Sequence, residues 1–326
     1  LAGPDGGYGG EGAGMKADNL YGLDLFGEPI RPPTLGPLAD RFTFPPFSVL
    51  DGRREAWKAR KRRWLALGIQ SELGRDAVSL ATSGWLADVD NKGARTDFAH
   101  GWKAGGTSVF DPVLAELICR WYSASGDQVV DPFAGGSVRG IVTAALGRRY
   151  WGCDLRPEQV RSNQEQAAAI DVDAVWVAGD SRSVLSTSPM ADLLMSCPPY
   201  GDLEVYSDDP ADLSNMTHEA FTAAHSEIIA RALARLRDDR FAVWVVGDFR
   251  CKDGWLRDFT GETVRAFEGA GARLYDRAVL LTPTGTLAVR AGRQFSASRK
   301  LGRGHQVVLV FCKGSATKAA RRLGDL

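Results

Sequence analysis

Between residues 128 and 312, short apolar runs alternate with stretches whose apolar residues recur at helical spacing. This alternation narrows the fold more than any other feature of the chain. Strands are predicted at 128–131, 150–154, 174–179, 192–197, 241–246, 274–281 and 305–312. Helices are predicted at 138–146, 157–170, 217–237 and 256–270, the last stopped by Gly271. A further helix precedes the first strand, with Asp111 as N-cap, Pro112 in its first turn, and Val113, Leu114, Leu117, Ile118 and Trp121 as its apolar set. Such repetition predicts a doubly wound α/β fold: a seven-stranded, mostly parallel sheet with helices on both faces. Ligands of such sheets bind beyond the carboxyl ends of the strands.

Two of those strand ends carry unusual chemistry. Asp131-Pro132-Phe133-Ala134-Gly135-Gly136-Ser137 runs from a strand through a glycine-rich turn into a helix, where backbone can approach a ligand and free N–H groups face it. Asp154 follows 23 residues after Asp131, at the end of the next strand, placed to accept from two ribose hydroxyls. The run Gly135-Gly136-Ser137-Val138-Arg139-Gly140 lacks the GxGxxG spacing, so a nucleoside without pyrophosphate fits better than a dinucleotide. Asp180 follows the third strand as an acceptor for an adenine amino group or as a helix cap. The second motif, Ser196-Cys197-Pro198-Pro199-Tyr200, ends the fourth strand. Two prolines stiffen that turn and Tyr200 offers a face for a planar base, unless the run is simply a rigid loop.

The formal net charge is zero, so overall charge gives no hint of a polyanionic partner, but two local stretches do. Arg53, Arg54, Lys58, Arg60, Lys61, Arg62 and Arg63 stand against one acid, Glu55, on a predicted helix that also carries Trp57 and Trp64. Arg290, Arg293, Arg299, Lys300 and Arg303 lie in an insertion at 283–304, expected to be a hairpin or loop. These are the candidate phosphate contacts. Five cysteines without CxxC or Cys/His spacing argue for reduced thiols and against a metal site. No apolar run has membrane-spanning length. The expected organisation is a glycine-rich mobile tail at 1–14, an irregular and helical extension at 15–106, a catalytic domain at 107–313 and a tail at 314–326. Residues 84–108 read as loop, and His305 and Gln306 as structural residues opening the last strand.

Taken together, these motifs resemble the S-adenosylmethionine-dependent DNA methyltransferases that act on exocyclic amino groups, adenine N6 or cytosine N4, in the γ-like motif order. The resemblance covers about residues 107–313 and implies a Rossmann-like methyltransferase fold. It implies S-adenosylmethionine as cofactor, held by Phe110, Asp111, Asp131, Phe133, Gly135, Gly136, Ser137, Asp154, Leu155 and Asp180, with Ser137 where the family has a second glycine. It implies DNA as substrate with the target base flipped, a cognate restriction endonuclease as partner, no metal and no membrane, and a cytoplasmic, nucleoid-associated protein. The catalytic set would be Ser196, Cys197, Pro198, Pro199, Tyr200 and Glu204.

Cys197 departs from the family, which has Asp, Asn or Ser there. Three readings stand. Ser196 or the Pro198 carbonyl positions the amine while Cys197 is tolerated; or Cys197 adds covalently to cytosine C6 so that C5 takes the methyl, with Asp202 or Glu204 as acid; or the site is silent and the chain is a nucleic-acid-binding subunit. An RNA enzyme acting on a guanine amino group is a further rival.

Overall fold

A computed structural model describes residues 36–70, 79–80, 109–201, 204–251, 253–285 and 287–324, with 79–80 and 204–205 as backbone only. The glycine-rich stretch 1–14, the first part of the extension, the expected loop 84–108 and Asp202 lie outside the described residues.

The extension contains α1 (Pro37–Phe42), β1 (Val49–Asp51), α2 (Glu55–Ala66) and β2 (Ser79–Leu80). The alternating region follows as α3 (Pro112–Tyr122), β3 (Gln128–Asp131), α4 (Val138–Ala145), β4 (Arg149–Asp154), α5 (Pro157–Ile170), β5 (Val175–Ala178), α6 (Ser181–Val184) and β6 (Ala191–Ser196). Then come β7 (Glu204–Val205), α7 (His218–Arg235), β8 (Leu236–Val246), β9 (Phe249–Arg250), β10 (Leu256–Arg257) and α8 (Phe259–Gly269). The chain closes with β11 (Ala272–Leu281), α9 (Leu287–Ser298), β12 (His305–Lys313) and α10 (Ala316–Leu323).

The central strands are buried because their sequences are apolar on both faces: every residue of β3 and β6 is buried, as is the Phe241–Val246 half of β8. Helix starts are fixed locally. Asp111 accepts from the backbone N–H of Val113 and Leu114, Thr217 from Ala220, and Asp258 from Gly261. The main sheet runs β1-β11-β12-β8-β6-β3-β4-β5, parallel throughout except where β12 meets its two neighbours. Strand order reverses between β3 and β6, which places a crevice at their carboxyl ends.

Two apolar layers cover the sheet. One face carries Trp57, Trp64, Leu117 and Ile141. The other carries Phe221, Ile228, Trp244 and Phe267, with the Phe267 and Phe311 rings stacked 3.9 Å apart.

Three expectations change. The sheet has eight strands, because β1 of the extension adds in parallel to β11 through Val49↔Val279 and Leu50↔Leu280. The insertion at 283–304 contains a twelve-residue helix, α9, with no buried residue. Its run of Leu, Ala, Arg, Gln and Phe outweighs the single Gly292 in helix propensity. Residues 316–323 form a helix, α10, whose Arg322 pairs with Asp127 at 2.5 Å.

Candidate active site

The glycine-rich turn and the Pro-Pro-Tyr turn meet in one cleft of about 1220 Å³, counting the part open to solvent. From the first come Phe133, Gly135 and Gly136; from the second come Cys197, Pro198, Pro199 and Tyr200. Of the other expected residues, Phe110, Asp154, Leu155 and Asp180 line it as well, and Tyr206, Asp212, Leu213, Gln159, Arg139 and Gln306 join them unannounced.

Asp131 holds the two turns together from inside. Its Oδ1 accepts from the Ser196 hydroxyl at 2.5 Å and the Phe133 N–H at 3.1 Å; Oδ2 accepts from Arg139 Nε at 2.6 Å and the Tyr150 hydroxyl at 2.9 Å. With every partner supplied by protein and no exposure, Asp131 is a scaffold residue and does not line the cleft, contrary to expectation. Ser196 is corrected for the same reason: its buried hydroxyl is spent on Asp131 and on the Phe133 N–H, 3.2 Å away, so it does not position an amine. Ser137 also turns away, donating to Gln166 Oε1 at 3.0 Å. Asp111 caps α3 and accepts from Trp57 Nε1 at 3.2 Å and Lys61 at 3.1 Å, outside the cleft lining. Of Glu204 only the backbone is described, pairing with Leu80.

Arg139, in the first turn of α4, is the main residue that sequence reasoning passed over. Its guanidinium also donates to the Phe133 and Ala134 carbonyls and lies 4.6 Å from the Phe110 ring centre. Burial alone would weaken its charge, but Asp131, with Cys197 and Tyr150, holds its pKa well above the ordinary value. A lone arginine on an otherwise apolar helix start was the available signal.

Asp154 Oδ2 accepts from Gly135 N–H at 2.9 Å and Oδ1 from Arg156 N–H at 3.0 Å. Gly135 has φ +51°, a conformation that favours glycine, and this is how the turn brings its N–H to Asp154. Asp180 caps α6 and is gripped by Arg182 at 2.6 Å. Burial raises its pKa, and hydrogen bonds from the Arg182 side chain and backbone more than reverse this, leaving it below the usual carboxyl range.

At the chemical end, Gln306 Nε2 donates to the Tyr200 hydroxyl at 2.8 Å, and that hydroxyl lies 3.7 Å from Cys197 Sγ. Burial, with the neighbouring Cys197, holds the Tyr200 phenol protonated well above its ordinary pKa. Gln306 fills one acceptor position on the phenol oxygen, and the Cys197 sulfur, 3.7 Å away, lies within reach of the phenol proton. Gln306 is therefore part of the cleft and not merely the opening of β12. No local signal marked it, because it meets Tyr200 across 106 residues.

The candidate phosphate contacts divide. Arg60 is buried against Glu116 at 2.5 Å, beside Trp64 Nε1 at 2.8 Å on the same carboxylate, so it is withdrawn from any ligand. Lys61 is tied to Asp111, Arg53 to Asp51 at 2.8 Å and Arg62 to Glu55 at 2.5 Å, the last two on the surface. Arg54 and Lys58 are exposed, as are Arg290, Arg293 and Arg299; Arg303 lies 3.8 Å from Asp248. Trp57 and Trp64, each 1% exposed, dock α2 on the sheet domain.

The family model for N6/N4 methyltransferases, described as DNA methylase, matches residues 58–165, about a third of the chain. That span holds the glycine-rich turn and Asp154 but stops short of Ser196–Tyr200. No curated protein matches. Solved structures with a similar fold include TrmN from Thermus thermophilus, 19% identical, covering 63% of this chain and 49% of that one, with TM-score 0.43. Precorrin-6y C5,15-methyltransferase from Geobacter metallireducens is 12% identical, covering 69% and 96%, with TM-score 0.43. Magnesium protoporphyrin IX methyltransferase from Synechocystis, solved with bound SAM, is 14% identical, covering 58% and 71%, with TM-score 0.38. The chain spans about half the length of the Thermus thermophilus protein.

The sheet order and its parallel strands make the fold Rossmann-like. The cleft residues fit S-adenosylmethionine: a carboxylate at the second strand end that can accept from ribose hydroxyls, apolar Leu155 and Phe133, and Asp180 at the third strand end. Among the described residues no His/Cys/Asp/Glu group could hold a metal ion, and no helix is long and apolar enough to cross a membrane.

Proposed function

We propose that the protein is an S-adenosylmethionine-dependent methyltransferase acting on an exocyclic amino group of a DNA base, adenine N6 or cytosine N4. The observation that carries this reading is the union of the two turns in one cleft, joined through Ser196 and Asp131. When bound, the cofactor supplies an electrophilic methyl group on a sulfonium. Asp154 holds the ribose and Asp180 accepts from the adenine amino group. The target base lies on Tyr200, and its amino hydrogens are accepted by Cys197 Sγ and the Pro198 carbonyl, which frees the nitrogen lone pair from the ring.

Nucleic acid as substrate is supported by two basic elements at the same sheet edge as the cleft. Asp51 at the end of β1 and His305 at the start of β12 both register with Leu281, so α2 and the α9 insertion leave the sheet together. DNA in preference to RNA is supported by the description of the matching family model. A cognate endonuclease and a place at the nucleoid belong to this reading.

A second reading is favoured by the position of Cys197 itself, whose side chain lines the cleft. In it, Sγ bonds to cytosine C6, C5 takes the methyl, and loss of the C5 proton expels the sulfur. Mass spectrometry of nucleosides from DNA incubated with the protein and isotope-labelled cofactor tests both. N6-methyladenine or N4-methylcytosine, persisting in Cys197→Ser, supports amino methylation. 5-Methylcytosine that vanishes in Cys197→Ser establishes the second reading, and absence of any product from the wild type overturns both.

A further inference from the structure

The hairpin β9–β10 carries an aromatic residue that neither the fold nor the cleft uses. Trp255 is 77% exposed, and described backbone groups on either side of it are hydrogen-bonded. The Trp255 carbonyl accepts from Cys251 N–H at 3.0 Å, Gly254 N–H donates to the Cys251 carbonyl at 2.8 Å, and Arg250 Nη1 donates to the Gly254 carbonyl at 3.0 Å. At its base the hairpin abuts the chemical end. Phe249 is buried against Gly201, the residue after Tyr200, so closely that a Cβ there would stand 2.6 Å from the Phe249 ring. The hairpin's outer turn meets the insertion: Lys300 Nζ lies over Gly254, where a Cβ would collide with it. Arg303 reaches back to Asp248 at 3.8 Å.

The insertion is one-sided in charge: residues 282–304 contain five cations and no acid, while the hairpin carries Arg250 and Arg257 together with the exposed Asp253 two residues before the indole. An exposed indole next to a cationic segment is an arrangement by which proteins stack nucleobases while tracking phosphates. The acid-free insertion beside the hairpin suits a polyanion whose repeating units have flat faces.

We infer that Trp255, with Lys300 over the preceding Gly254 and Arg303 at Asp248 at the foot of the hairpin, is a nucleobase-stacking platform that holds a base neighbouring the extruded target. The inference rests on the reading of the cleft as a nucleic-acid methyltransferase site. It adds what that reading lacks, a contact with bases outside the pocket. The indole supplies the stacking face, and the cations pair with phosphates on either side of the stacked base.

Fluorescence anisotropy with fluorescein-labelled duplex DNA, and with the same duplex carrying one abasic site, tests this without requiring turnover. Trp255→Ala raises Kd about tenfold with an unchanged slope of log Kd against log salt, and Trp255→Phe retains most of the affinity. The double variant Lys300→Ala/Arg303→Ala lowers the salt slope instead. Trp255→Ala binding within twofold of wild type overturns the inference, as does a loss equal to that of the Lys300/Arg303 variant in salt slope. Loss of self-association in sedimentation with unchanged DNA affinity would reassign the surface to protein and also overturn it. Failure of the wild-type protein to bind either duplex would instead defeat the underlying functional reading.

Discussion

Replacing Asp154 with alanine removes the acceptor on which the cofactor reading most depends. In the folded chain this carboxylate accepts from Gly135 N–H and Arg156 N–H, and it lines the cleft beside Leu155. Two ribose hydroxyls would add two hydrogen bonds to a charged acceptor, each about 1.5–3 kcal/mol. Because the cleft is open and the hydroxyls can rehydrate, the lower end applies, about 3 kcal/mol in total, or roughly a hundredfold in Kd. Asp154→Asn keeps one acceptor oxygen and exchanges the other for a donor, so its loss is expected near tenfold, about 1.4 kcal/mol. Isothermal titration with S-adenosylmethionine at low temperature reads both, away from the small drop in unfolding temperature that the two orphaned N–H groups cause. An Asp154→Ala protein that binds within threefold of wild type would refute the assignment of the ribose to this strand end.

Three further perturbations test the surroundings. Glu116 is buried, and although burial raises its pKa, the hydrogen bond and charge of Arg60, with Arg120 and Trp64, hold it below the ordinary carboxyl value. Its stabilisation is therefore complete above the ordinary carboxyl pKa and lost as pH falls through the folded value; Glu116→Gln should cost about 3 kcal/mol near neutral pH and flatten that acid dependence, read by guanidinium chloride unfolding at several pH values. Gly140→Ala drives a Cβ into the Trp176 ring and to 2.9 Å from Tyr150, so overpacking beneath the glycine-rich turn should destabilise the protein by about 1–3 kcal/mol in the same assay. Gln306→Glu supplies an acceptor where Gln306 donates, drawing the Tyr200 proton away from Cys197; alkylation of Cys197 by iodoacetamide at fixed pH, followed by peptide mass spectrometry, should slow severalfold, and an unchanged or faster rate would contradict the proposed donor order.

The legible parts of the site share one property, that their signal is local. Asp131–Ser137 announces a strand, a turn and a helix within a dozen residues, and Asp154 and Asp180 are found by counting to the next strand ends. The turn at 197–200 identifies itself by its two prolines. Roles inside those motifs were harder to read. Asp131 and Ser196 belong to the right turns yet face each other and not a ligand, because a central strand end buried on both sides obliges their polar atoms to find partners within the protein, here one another, the Phe133 N–H, Arg139 and Tyr150. The basic helix was legible as a helix, but not that Arg60 would turn inward. Its apolar neighbours Trp57 and Trp64 set the buried face, and Glu116, 56 residues away, supplies the counter-charge.

The alternation of apolar runs and helical periods determined the doubly wound sheet and the edge at which a ligand must sit, since strand and helix periods are set by neighbours a few residues apart. Tertiary structure alone decided which side chains share that edge. β1 joins β11 across more than two hundred residues, Gln306 reaches Tyr200, Arg139 closes over Phe110, and Phe249 seats the Trp255 hairpin on Gly201. Each of these meetings is fixed by sheet register and by the burial of groups that must find partners, and neither quantity exists until the strands have paired.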